Sequence, residues 1–161
     1  MKFLKFLLFI LLMGILGGCQ QPEFTQQESA FIVWKSPRLK YADQGFIYEG
    51  KDRLRIEIYS NAQALMRLDV TPTHICSSFL ACMDKARFNK EMFSPYYPPT
   101  LLEHIFRAEA IMNGEGMVQK RNGFTQTIVK VGKYDISYSV LNKRVIFRDT
   151  INKIQIKVIK Q

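Results

Sequence analysis

The chain has 161 residues, 47% of them hydrophobic, a formal net charge of +9, two histidines and three cysteines. That length suits one folded unit with a core of its own. The basic surplus would ordinarily suggest a nucleic acid partner, but the first nineteen residues exclude it by sending the chain out of the cell.

Lys2 and Lys5 flank the start of an apolar run that continues to Leu16 and closes on Gly17 and Gly18. A basic start, a short apolar stretch and small residues before a cut site make a secretory signal. The run is also shorter than the ~20 apolar residues of a membrane-spanning helix. Leu16-Gly17-Gly18-Cys19 resembles the lipobox of bacterial lipoproteins. The resemblance implies removal of residues 1–18 and lipid on the Cys19 sulfur, so Cys19 is the expected anchor in the membrane lipid. The mature chain would keep 143 residues, 21 basic against 14 acidic, a net charge of +7. Anionic headgroups or an acidic protein suit that surplus; nucleic acid is not an expected partner. Residues 19–29 are polar and aperiodic and read as a flexible tether. At ~3.3–3.6 Å per residue it could hold the body on the order of 30 Å from the bilayer. Gln20 is not the aspartate that retains some bacterial lipoproteins in the inner membrane. The expected location is therefore the outer membrane, facing the periplasm.

The folded domain is expected over residues 30–161. Residues 30–34 are apolar and begin it, and residues 45–49 make a strand before the turn Gly50-Lys51-Asp52. Leu54, Ile56 and Ile58 alternate with Arg55 and Glu57, the period of a strand with one covered and one wet face. Met66, Leu68 and Val70 repeat the pattern against Arg67 and Asp69. Residues 74–77 and 81–87 read as a weaker strand pair.

Pro95, Pro98 and Pro99 then forbid a central strand. Thr100 and Glu103 have the spacing of a capping box. Leu101, Leu102, Ile105, Phe106 and Met112 recur at helical spacing up to Asn113-Gly114, which predicts a helix over residues 101–112. Strands return at residues 125–131, 134–141, 144–148 and 151–159. The fold class expected is α+β, mostly β: nine or ten strands in an open, strongly curved antiparallel sheet, a half-barrel enclosing the helical insertion.

No catalytic, phosphate-binding or zinc motif is present, so neither an enzyme nor a cofactor or metal site is expected. His74 and His104 are isolated, and the aspartates are scattered over turns and wet faces. Cys76 and Cys82 lie six residues apart. Export permits a disulfide between them, with two buried thiols as the alternative. Twelve Phe, seven Tyr and seven Met offer an adaptable apolar surface, either packed as core or left open as a pocket.

Three stretches resemble the LolB family of outer-membrane lipoprotein receptors. These are residues 52–60 running through a short turn into residues 65–69, the proline-led helix of residues 98–106, and the ending at residues 144–148 and 154–158. The resemblance covers residues 45–159 and implies a half-barrel whose apolar cavity takes acyl chains. It also implies lipoproteins as cargo, received from a LolA-like periplasmic carrier and placed in the outer membrane. The acyl-chain wall expected from strand and helix periodicity is Ile56, Ile58, Met66, Leu68, Leu102 and Phe106. The turn at residues 60–64 lacks the large apolar residue that the family exposes there. The other reading is a lipid-anchored structural or interaction subunit of an envelope complex, whose concave face is all core.

Overall fold

The computed structural model describes residues 24–61 and 63–161. Cys19 and the expected signal lie outside them. Among the described residues, eleven strands form one antiparallel sheet, in the order β6-β5-β4-β3-β2-β1-β11-β10-β9-β8-β7. The chain starts at the centre with β1 (Gln26–Lys35) and walks outward through β2 (Lys40–Glu49), β3 (Leu54–Ser60), β4 (Gln63–Val70), β5 (His74–Ser77) and β6 (Met83–Asp84). Two short helices follow, α1 (Lys85–Met92) and α2 (Leu101–Arg107). The second arm meanders back through β7 (Met117–Lys120), β8 (Gly123–Lys130), β9 (Tyr134–Leu141) and β10 (Arg144–Asp149) to β11 (Ile154–Lys160), which pairs with β1. Edges β6 and β7 do not pair with each other, so the sheet stays open.

Alternation decides which face is covered. Ile32 and Trp34 of β1, Ile56 and Ile58 of β3, Leu68 of β4, and Ile156 and Val158 of β11 are all buried on the side that carries the helices. Arg107 of α2 donates to the carbonyls of Gly50 and Arg53 in the β2–β3 turn, at 2.8 and 3.0 Å. Tyr138 of β9 donates to the carbonyl of Glu109, two residues beyond α2, at 2.9 Å. Five strand spacings of ~4.8 Å separate β3 from β9 in a flat sheet, more than twice the ~10 Å width of a helix. Both arms reach the same helix because the sheet curves around it. Ion pairs brace that closure: Glu103 meets Lys85 and Arg107, Arg107 meets Glu49, and Lys160 meets both Glu49 and Glu28. Burial pulls Lys160 downward, but its hydrogen bonds and charge contacts with Glu28 and Glu49 outweigh this and leave its pKa raised.

Several local expectations are corrected. β1 begins at Gln26, inside the expected tether, because Gln26–Ser29 pair with β2 opposite Glu49–Phe46. Thr25 extends the ladder with an N–H to the Glu49 carbonyl at 2.8 Å, and Phe24 packs on the ring of Tyr48. Residues 81–87 are not a strand: only Met83 and Asp84 pair, with Ile75 and His74. Asp84 then accepts the Arg87 N–H at 2.8 Å and starts α1, which buries Lys85, Phe88 and Asn89 on one face.

The expected helix over residues 101–112 ends five residues early, at Arg107, with Ala108 as its cap in the left-handed conformation (φ 59°). The chain must turn there so that Ile111 reaches the buried amide of Gln126, which accepts from the Ile111 N–H and donates to the carbonyls of Ile111 and Glu115. The capping box is absent too. Thr100 makes no side-chain cap, and Glu103 binds the buried Lys85 ammonium at 2.8 Å instead. A buried cation without a counter-charge costs more than an uncapped N–H that has water nearby. Strand β7, exposed throughout, carries no apolar alternation to announce it.

The strand pairs and core contacts given above join residues between Phe24 and Gln161.

Candidate ligand cavity

The covered side of the sheet is not filled evenly. Around α2, Leu101, Leu102, Ile105 and Phe106 are buried against the sheet. Beside them the Tyr97 hydroxyl donates to Asp149, a buried carboxylate that also accepts from the backbone N–H groups of Asp135, Ile151 and Asn152. Burial and that bond push the Tyr97 phenol far above its ordinary pKa; burial also raises Tyr138.

Under α1, at the other side of the concave face, the structure leaves a cavity of about 600 Å³. That falls inside the range of ~300–1,000 Å³ typical of small-molecule sites. Its floor is Trp34, Met66 and Leu68 from the sheet, and one wall is Phe88 and Met92 from α1. Trp34, the only tryptophan of the chain, is fully buried and stacked on Phe93 at 5.1 Å between ring centroids. Its indole N–H has no hydrogen-bond partner among the described residues.

Two loops make the rim. The first is the turn from β1 to β2, where Ser36 accepts from the N–H groups of Arg38 and Leu39 through Oγ and donates its own N–H to the Leu39 carbonyl. This tight turn sets Arg38 and Leu39 on the cavity edge. The second is residues 77–81, closed at its base by a disulfide between Cys76 and Cys82. Ser78 ties the start of this loop to β4, accepting from the Arg67 N–H and donating its own to the Arg67 carbonyl. Phe79 and Leu80 then project along the mouth, with Phe79 63% exposed.

Of the six wall residues expected from the sequence, Met66 and Leu68 line the cavity. Ile56, Ile58, Leu102 and Phe106 do not; each is fully buried in the packed core around α2 and the central strands. The lining residues that went unanticipated are Trp34 of β1, Phe88 and Met92 of α1, just past the strand expected at residues 81–87, and those of the two rim loops, which have no periodicity. The one available signal was the Phe88/Met92 spacing of four, which fits a helix face.

Neither a family model nor a curated protein matches this chain. His74 is exposed and sits 2.8 Å from the Thr73 hydroxyl, while His104 lies on α2 with Nε2 3.8 Å from Glu109. Among the described residues, no group of three or more His, Cys, Asp or Glu side chains could hold a metal, and no helix is long and apolar enough to cross a membrane. Leu65, just past the turn at residues 60–64 and beside a register shift in the β3–β4 pairing, is 46% exposed.

Proposed function

We propose that the chain is a lipid-anchored, LolB-like receptor that binds acyl chains and takes part in bringing lipoproteins to the outer membrane. The observation that carries this reading is the cavity of about 600 Å³, lined mainly by apolar and aromatic side chains and rimmed by exposed ones. Exposing a sixteen-carbon chain to water costs roughly 12 kcal/mol at ~0.8 kcal/mol per methylene. A handover between two apolar cavities avoids that cost and needs no nucleotide. The layout suits a receiver. The chain enters β1 at the end near Phe24, and the cavity rim lies at the other end, ~33 Å away at ~3.3 Å per residue over ten residues. The LolB-like half-barrel, the carrier partner and the periplasmic face of the outer membrane all belong to this proposal, as does the absence of catalysis.

The test is titration of a fluorescent fatty acid into the chain starting at residue 19 with Cys19→Ala, which has no lipid of its own. Saturable binding is expected, and Leu80→Trp, which adds bulk at the half-buried rim, should abolish it while the unfolding midpoint holds. A protein that binds no acyl ligand would leave the structural or interaction subunit of an envelope complex as the surviving reading.

A further inference from the structure

We propose that Arg38 selects the ligand of this cavity, so that the preferred occupant is a single-chain amphiphile with an anionic head. The inference rests on the reading that the cavity takes acyl chains, and adds the chemistry of the end that stays outside.

Arg38 is the one charged side chain on the cavity wall, set among apolar and aromatic groups and Ser77. Among the described residues no acidic side chain lines the cavity, and no carboxylate forms an ion pair with Arg38. Arg55, Arg67, Arg87 and Arg107 each pair with a carboxylate; of the arginines without such a pair among the described residues, Arg38 is the one that lines this cavity. The Ser36 turn fixes the Arg38 backbone at the rim, and the side chain is exposed there.

A tail lying over Trp34, Met66 and Leu68 would leave its head at the rim, between Arg38 and the Phe79 loop. A guanidinium presents a planar fork of donors that matches carboxylate or phosphate oxygens; to a neutral ester or hydroxyl it gives only a weaker hydrogen bond, and it repels an ammonium. Hydrophobic burial alone is non-directional and barely reads the head; Arg38 supplies the discrimination that the apolar wall lacks.

The experiment uses the same residue-19 chain with Cys19→Ala and reads Trp34 emission, since the only tryptophan of the chain lines the cavity. Four twelve-carbon probes are titrated below their micelle or solubility limits: dodecanoate, dodecyl phosphate, dodecanol and dodecyltrimethylammonium. Both anions should bind about fivefold tighter than dodecanol, the scale of an exposed ion pair, and the gap should narrow as salt is raised. The cation should bind weakest. Arg38→Ala should remove the gap and leave the dodecanol Kd unchanged, and Arg38→Lys should keep part of it. Lys40→Ala, which removes the same charge two residues away from a side chain that does not line the cavity, should leave the gap intact.

Tighter phosphate binding would point to a phospholipid-derived ligand, tighter carboxylate binding to a free fatty acid, and either order upholds the proposal. Equal affinity for anions and dodecanol in the unmutated chain overturns it while leaving the acyl-binding reading standing. A gap that Lys40→Ala closes as well as Arg38→Ala also overturns it, because net charge would then explain the preference. Failure of all four probes to bind sinks both readings together.

Discussion

The two helices cover neighbouring parts of one concave face, yet one part is solid and the other holds a cavity. α2 brings four apolar side chains in seven residues, and its surroundings add Tyr97 and Tyr138. α1 has eight residues but buries only Phe88 as a large apolar group, with Lys85 and Asn89 beside it. The strands beneath both helices alternate in the same way, so the sheet does not cause the difference. Apolar volume per helical turn causes it. Where the helix supplies too little, the gap is bounded by a stacked tryptophan, a methionine and a disulfide-closed loop.

The sharpest way to break this comparison is to truncate one large side chain on each side. Phe106→Ala should cost about 3–5 kcal/mol, the range for a ring lost from a closed core. Met92→Ala, at a wall that already faces open volume, should cost well under half of that, because it opens no new cavity. Denaturant unfolding at equal slope measures both, and equal losses would mean the α1 side is as tightly packed as the α2 side.

The disulfide should matter less for stability and more for the cavity. It closes a short loop, and chain entropy puts its worth at about 2 kcal/mol. Beyond Ser78 the rim loop has one backbone bond to a side chain, from the Phe79 N–H to Ser77, so the disulfide is the tie that holds Phe79 and Leu80 across the mouth. Cys76→Ser with Cys82→Ser should therefore speed release of a bound fluorescent acyl probe several-fold in stopped-flow measurements. A release rate unchanged by the double substitution would mean that the loop does not cover the ligand.

A separate effect belongs to the filled side and appears only in alkali. Tyr97, Tyr138 and Lys160 all have folded pKa values raised above their ordinary 10.0, 10.0 and 10.5. Each group keeps its proton in the folded state after the unfolded chain has lost it. Their contribution is therefore whole below about pH 10 and is lost as pH rises toward the folded values, at up to ~1.4 kcal/mol per pH unit for each of the two buried tyrosines. Stability measured by urea at pH 9, 10 and 11 should fall along this slope. Tyr97→Phe should start less stable but lose about 1.4 kcal/mol less per unit; an unaltered slope would place the Tyr97 phenol in contact with water.

What the amino-acid order determined by itself was the period. Leu54, Ile56 and Ile58, Met66, Leu68 and Val70, and Ile154, Ile156 and Val158 are buried as their alternation requires, and the antiparallel sheet follows from short turns between such runs. Alternation assigns a face, because side chains on a strand can point only two ways. It does not say whether that face meets another side chain or empty space. Ile56 and Leu68 carry the same sequence signal, and only the second lines the cavity. That outcome was set by contacts outside the strand pattern: where α2 stops at Ala108 and how Glu103 turns from its own backbone to Lys85. Each depends on which partner arrives from elsewhere in the chain, and a local pattern holds no record of that.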